Sequence, residues 1–202
     1  MGFTAVKIKK SSMVIAGLLI LVILGGKYLY WAHVDYRFLG ISEGKLYQSA
    51  AMPMDTLKEK VEEKGIRTVV DLRSPRKLVD RERDYLTKLE IQYINLPSGQ
   101  NPEDAVIDSF LKIMADHENL PVLIHCRHGM GRSVLLSALY RIEFEGWSKE
   151  RANRYAFWQS GLGFEFLQSG DKGRFIKNYA PRLIYRPEPS VARAQKQSVF
   201  PA

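Results

Sequence analysis

The stretch of this chain best suited to do chemistry is Val122-Leu-Ile-His-Cys-Arg-His-Gly-Met-Gly-Arg-Ser133, which holds its one cysteine, Cys126. Val122–Ile124 has the character of a short buried strand, and an apolar, helix-like pattern starts at Ser133. In parallel α/β sheets, ligands bind beyond the carboxyl ends of the strands. A tight strand-to-helix loop at that edge turns successive backbone N–H groups inward. Together with the positive end of the helix they form a cradle for an anion. Gly129 and Gly131 permit the backbone angles this requires, and Arg132 is suited to grip two oxygens of a tetrahedral anion at once. A lone cysteine is more often an inert buried thiol. Cys126, however, sits at the base of the cradle, where N–H groups and the helix dipole stabilise a thiolate and lower the thiol from about 8.5. Such a thiolate is a nucleophile for phosphorus, giving a cysteinyl-phosphate held by the loop N–H groups and Arg132. Ser133 is placed to hydrogen-bond the sulfur when it leaves, and His125 to orient the loop rather than act as a base. Arg127, His128, Gly129, Met130 and Gly131 complete the expected binding loop.

His-Cys-X5-Arg-Ser, as His125, Cys126, Arg132 and Ser133, resembles the signature of the cysteine-dependent protein tyrosine and dual-specificity phosphatases. Val69-Val-Asp-Leu-Arg-Ser-Pro75 is similar to the "VDLR" strand of compact dual-specificity-type and bacterial members. Tyr140-Arg-Ile-Glu-Phe-Glu-Gly-Trp-Ser148 is similar to the segment after the loop in a bacterial subgroup. The resemblance covers about residues 38–179 and implies a phosphomonoester hydrolase that needs no cofactor and acts on phosphorylated protein. Inositol phosphates and phosphoinositides are a variant substrate class, and a membrane-anchored phosphate-binding pseudophosphatase is a second reading. The family usually carries a general-acid aspartate in a loop before the cysteine. The matching loop, Leu96–Asp104, has none in its first half, and Ser98 falls where the acid is expected. Asp71, Glu103 and Asp104 are the remaining candidates. Glu103 and Asp104 equally suit the first turn of a helix. Asp71, at the carboxyl end of its strand, is equally a partner for Arg73 or for loop amides. With a weak or missing acid, aryl phosphates are favoured, because a phenol leaves at a pKa of about 10 and alkoxides lie nearer water's value of about 15.7. Phosphotyrosine is therefore expected ahead of phosphoserine.

The elements that position these residues alternate. Leu39–Tyr47 reads as extended, Ile66–Leu72 and Ile91–Leu96 as strands. Helical patterns cover Met54–Lys64 (closed by Gly65), Arg76–Glu90, Glu103–Asp116 (with Pro102 near its start) and Ser133–Glu145 (ended by Gly146). A further helix runs from the cap Ser148 to about Trp158, and a short one lies near Lys172–Asn178. Such alternation predicts an α/β fold with a mainly parallel central sheet flanked by helices.

The 202 residues accommodate one domain plus extensions. Residues 1–12 are basic, and Met13–Ala32 forms a span of about 20 residues, the length needed to cross a bilayer. Tyr28, Tyr30 and Trp31 suit its interface. A cleaved signal peptide is the competing reading, but Tyr30 fills the place where a small residue is wanted. Lys7, Lys9 and Lys10 before the span favour a cytosolic N-terminus, with the domain across the inner membrane of a bacterium. Residues 33–180 are the expected catalytic domain and 181–202 a flexible tail. The net charge of +8 favours anionic partners, and much of the excess sits in the two tails. Nucleic acid rests on that charge alone and is not expected. One cysteine excludes a disulfide framework, and His125, Cys126 and His128 lack the second ligand pair of a zinc site.

Overall fold

The computed structural model describes residues 10–161 and 163–182. Most of the expected basic N-terminal segment and of the C-terminal tail lies outside the described residues. The chain divides into two units, one up to Arg37 and one from Phe38 onward.

Among the described residues, the first unit holds one helix, α1 (Lys10–His33). Within Met13–His33 the most apolar window has a mean hydropathy of 2.0 and none of that window is buried. From Met13 to Gly26 no residue is charged, and the helix is long and apolar enough to cross a membrane. Where it ends, the Arg37 guanidinium lies 5.0 Å from the centre of the Trp31 ring and 5.9 Å from that of Tyr28.

The second unit runs β1 (Leu39–Ser42), β2 (Leu46–Ala50), α2 (Met54–Lys64), β3 (Thr68–Asp71), α3 (Lys77–Lys88), β4 (Gln92–Asn95), α4 (Asp104–Ala115), β5 (Val122–Cys126), α5 (Arg132–Phe144), α6 (Lys149–Gln159) and α7 (Asp171–Asn178). A 3-10 turn at Phe164–Phe166 separates α6 from α7. The sheet order is β1-β2-β5-β3-β4. Every pairing is parallel except β1 with β2. The expected α/β architecture is therefore present. One expectation needs correcting. Leu39–Tyr47 is not a single extended run but the start of an antiparallel hairpin, turning at Gly44 with φ +70. The Glu43-Gly44 turn signal lay inside the segment.

β5 is the central strand, and Val122, Leu123 and Ile124 are wholly buried, as a continuous apolar strand in a covered sheet must be. Val70 and Ile124 join the core cluster of Phe110, Leu135, Leu139 and Phe166. Val69 and Leu123 alternate with them and face the other side. The helix that follows the loop, α5, is buried from Ser133 to Glu143. It lies in the interior rather than on a surface, which fixes its N-terminus rigidly under the loop. Local signals held at several ends. Gly65 closes α2 in the left-handed conformation, and the Ser148 hydroxyl caps α6 by accepting from Arg151 N–H at 3.2 Å.

The start of the expected tail is tied down. Arg182 pairs with Asp104 (2.6 Å) and Asp108 (3.0 Å) of α4. Its backbone N–H donates to the buried Glu143 at 2.7 Å, which also accepts from Tyr179 Oη.

Candidate active site

The end of β5 is held on both sides. Leu72 N–H donates to the carbonyl of His125 at 3.0 Å, and Ala51 N–H to that of Cys126 at 2.8 Å. The chain then folds over itself through residues 127–131 into α5. Gly129 has φ +63, and a Cβ there would lie 2.5 Å from the backbone N of Ala50. Both the left-handed angle and the close approach require glycine.

Within this bend, Cys126 is 3% exposed. Its sulfur lies 3.4 Å from Ser133 Oγ. Burial pushes the thiol up, but the Ser133 hydroxyl and the N–H groups of Ser133, Gly129 and His128 outweigh it, leaving the thiol below its ordinary value.

Gln48 of β2, absent from the sequence-based set, organises the far side of the loop. Its Nε2 donates to Gly129 O at 3.0 Å and to Ser133 Oγ at 3.3 Å. Its Oε1 accepts from Gln159 Nε2 at 3.0 Å. All three side chains are buried.

Arg132 is half-buried. Its Nη1 donates to the carbonyls of Leu72 (2.6 Å) and Ser98 (3.0 Å). Two loops, one after β3 and one after β4, therefore fix the guanidinium. Among the described residues its Nε and Nη2 make no hydrogen bond, so the edge that would meet an oxyanion remains available. Arg127 and His128 are exposed at the rim, and Met130 and Gly131 are half-buried.

His125 points away from this chemistry into a buried ionic cluster. Its Nε2 is 2.9 Å from Glu82 Oε1 and 3.9 Å from Asp71 Oδ1. Among the described residues neither ring nitrogen makes an aligned hydrogen bond. Burial pushes the imidazole down, and the Glu82 carboxylate, then Asp71, push it further up, leaving it above its usual value. Arg73 Nη2 reaches both Asp71 and Glu82 at 2.7 Å, and Tyr93 Oη donates to Asp71 at 2.6 Å. Asp71, Glu82 and His125 are close enough to hold a metal ion, but the Arg73 guanidinium already fills the cation position between the two carboxylates.

These contacts favour the structural reading of Asp71. It is the buried partner of Arg73. Burial raises its carboxyl, and the charge of His125 with hydrogen bonds from Arg73 and Tyr93 lowers it below the usual range. A carboxylate held ionised in this way has no proton to lend, so Asp71 is not suited to be a general acid. Asp104 lies in the first turn of α4 and is bound to Arg182. Glu103 is the exposed residue preceding that helix. Ser98 donates its hydroxyl to Gly99 O at 2.9 Å and contributes only its carbonyl, to Arg132.

Glu82 and Lys172 were also missed. Glu82 had a readable signal, lying with Val79 and Leu86 on one helical stripe and buried there with them. Lys172, only 2% exposed, pairs with Glu165 at 2.8 Å and donates to Gln100 Oε1 at 3.3 Å.

Comparison with known proteins agrees with this geometry. The model of a family described as DSP-PTPase phosphatase fused to NAD+ kinase matches residues 45–165, more than half of the chain. Dual specificity protein phosphatase TpbA of Pseudomonas aeruginosa (strain UCBPP-PA14) is 34% identical over 89 residues, 43% of this chain and 38% of that protein. The match thus spans well under half of the relative's length. The crystal structure of P. aeruginosa TpbA has a TM-score of 0.59 at 23% identity, over 72% of this chain and 86% of that one. A TpbA variant in complex with pTyr has a TM-score of 0.58 at 22% identity, over 80% and 91%. The core catalytic domain of the PP-IP phosphatase SIW14 from S. cerevisiae has 0.59 at 18% identity, over 82% and 94%. At these identities the structural likeness shows the fold.

Proposed function

Because this chain belongs to the DSP-PTPase phosphatase family, we propose that it hydrolyses phosphate monoesters, phosphotyrosine foremost, through a cysteinyl-phosphate on Cys126. The observation that carries the reading is the sulfur itself, 3.4 Å from the Ser133 hydroxyl and drawn toward thiolate by that hydroxyl, two loop amides and the amide of Ser133 in the first turn of α5.

In the first step the thiolate attacks phosphorus in line. The S–P bond forms, the bond to the leaving oxygen breaks, and the loop amides and Arg132 hold the equatorial oxygens. In the second step water attacks phosphorus, the P–S bond breaks, and Ser133 donates to the departing sulfur. Asp71 and Asp104 are each engaged by an arginine, and a weak or missing acid favours the aryl substrate. TpbA in complex with pTyr supports the same substrate class.

Inositol phosphates are the second substrate reading. Arg127 and His128 stand exposed at the rim, suited to further phosphates, and the SIW14 neighbour is a PP-IP phosphatase. We further propose that α1 anchors the chain in a membrane, with the catalytic unit outside the cytosol. Its length, apolarity and terminal aromatic residues support an uncleaved anchor. Edman sequencing of the membrane fraction tests it, since a chain starting after residue 32 would mean a cleaved signal sequence.

The deciding experiment uses the full-length chain in detergent micelles. Turnover of para-nitrophenyl phosphate is expected and is lost in Cys126→Ser. A panel of phosphotyrosine peptides, phosphoserine peptides and inositol phosphates ranks the substrates. Vanadate binding without turnover would instead mark a phosphate-binding pseudophosphatase.

A further inference from the structure

The reaction leaves one proton without a carrier. The water that attacks the cysteinyl-phosphate must lose a proton, and in an in-line displacement it arrives on the side of phosphorus opposite the sulfur. The group that takes that proton stands at the mouth of the loop, not at its floor. This excludes Asp71 and Glu82, which lie with His125 in the buried cluster. Asp104 is bound to Arg182.

Glu165 is differently placed. A Cβ built on Gly131, the residue before Arg132, would lie 3.6 Å from Glu165 Oε2, 3.0 Å from Lys172 Cε and 3.6 Å from Lys172 Nζ. Gly131 has no side chain, which lets this pair pack directly against the loop. The two partners differ sharply in burial. The Lys172 side chain is 3% exposed, whereas that of Glu165 is 59% exposed, so the carboxylate is fastened from behind and faces solvent. Gln100, the second partner of Lys172, belongs to the loop whose Ser98 carbonyl binds Arg132. One buried ammonium thus ties the 3-10 turn of Glu165, the loop after β4 and the rim of the cradle together.

We propose that Glu165 is the general base of the second step, with Lys172 as its positioning residue. The ion pair at 2.8 Å holds the Glu165 carboxylate in place. Water adds to phosphorus as the P–S bond breaks, its proton passes to Glu165, the electron pair returns to Cys126 as thiolate, and inorganic phosphate leaves. Glu165 then releases the proton to solvent.

This assignment rests on the hydrolase reading above, and the test separates the two. Rapid-quench kinetics of the full-length chain in detergent, with para-nitrophenyl phosphate, resolve the burst of nitrophenol from steady turnover. For Glu165→Gln the burst is expected at full amplitude and within about 2-fold of the native rate. Steady turnover should fall about 100-fold, the lower end for a positioned proton-transfer group. Phosphocysteine on Cys126 should accumulate and be seen by mass spectrometry after acid quench. Lys172→Met should show the same split in weaker form. A purely structural ion pair would slow burst and turnover together without trapping the intermediate, and that result overturns the assignment. Unchanged turnover in Glu165→Gln overturns it too, leaving the hydrolase reading intact. A native chain that forms no phosphocysteine and releases no nitrophenol sinks both.

Discussion

Gln48 Nε2 donates to Ser133 Oγ at 3.3 Å, so the hydroxyl has an acceptor side already used and turns its proton toward the sulfur of Cys126. The orientation of the Gln48 amide is fixed in turn by Gln159, which donates to its Oε1. A residue on β2 thereby sets the direction of a hydrogen bond in a loop eighty residues away in sequence.

Gln48→Leu should free that hydroxyl to turn and leave the buried Gly129 carbonyl unpaired, a cost of about 1–3 kcal/mol. The thiol should titrate higher. Iodoacetamide inactivation followed against pH measures this directly. In the native chain the midpoint lies below the ordinary thiol value of about 8.5. It should move up in Gln48→Leu and further in Ser133→Ala, which removes the side-chain donor itself.

Asp71 and Arg73 offer a test of structure against catalysis. Arg73→Met strips the shared cation from two buried carboxylates and should destabilise the domain by about 3–5 kcal/mol, the usual cost of breaking a buried pair from one side. Urea unfolding reads the loss. Asp71→Asn should also lower stability while leaving the pH–rate profile unchanged in shape. Disappearance of a basic limb in that profile would restore Asp71 as an acid.

The same cluster predicts how stability follows pH. The folded-state pKa of His125 is raised. Its contribution is therefore complete below the unfolded value of about 6.5 and is lost as pH rises through the folded value. The folded-state pKa of Asp71 is lowered. Its contribution is complete above about 3.9 and is lost as pH falls through the folded value. Both operate fully from about pH 4 to 6.5. The urea midpoint should be highest there and decline at higher pH, and His125→Asn should flatten the alkaline decline.

Gly129→Ala places a methyl 2.5 Å from the Ala50 backbone at φ +63. A non-glycine residue held in a strained angle costs about 1–3 kcal/mol, before the loop shifts to relieve the clash. Turnover should fall more than stability, because the shift moves the N–H groups of His128 and Gly129 off the sulfur. Comparing the activity loss with the thermal midpoint checks this ordering.

Much of this architecture was legible in the sequence. Helices with an apolar stripe and a clear end, such as 54–64 before Gly65, announced themselves locally. So did the strand–loop–helix around Cys126, because strand, glycines, arginine and serine are contiguous. The residues that escaped act across the sheet. Gln48 and Gln159 are ordinary amides until β2 is known to neighbour β5. Lys172 reads as one of many surface lysines until α7 folds over Gly131. The ambiguity of Asp71 was a true one in sequence, since its strand does end at the loop edge. The positions of Arg73 and Tyr93 favour the structural reading.

The carbonyls of His125 and Cys126 are stitched from either side by Leu72 and Ala51. The pocket is consequently stiff at its floor and adaptable only at its lip. An inhibitor that mimics the bare dianion would find a preformed seat and gain affinity without selectivity. Discrimination between this chain and its kin would have to be sought at the rim, in groups that reach Arg127, His128 and Glu165.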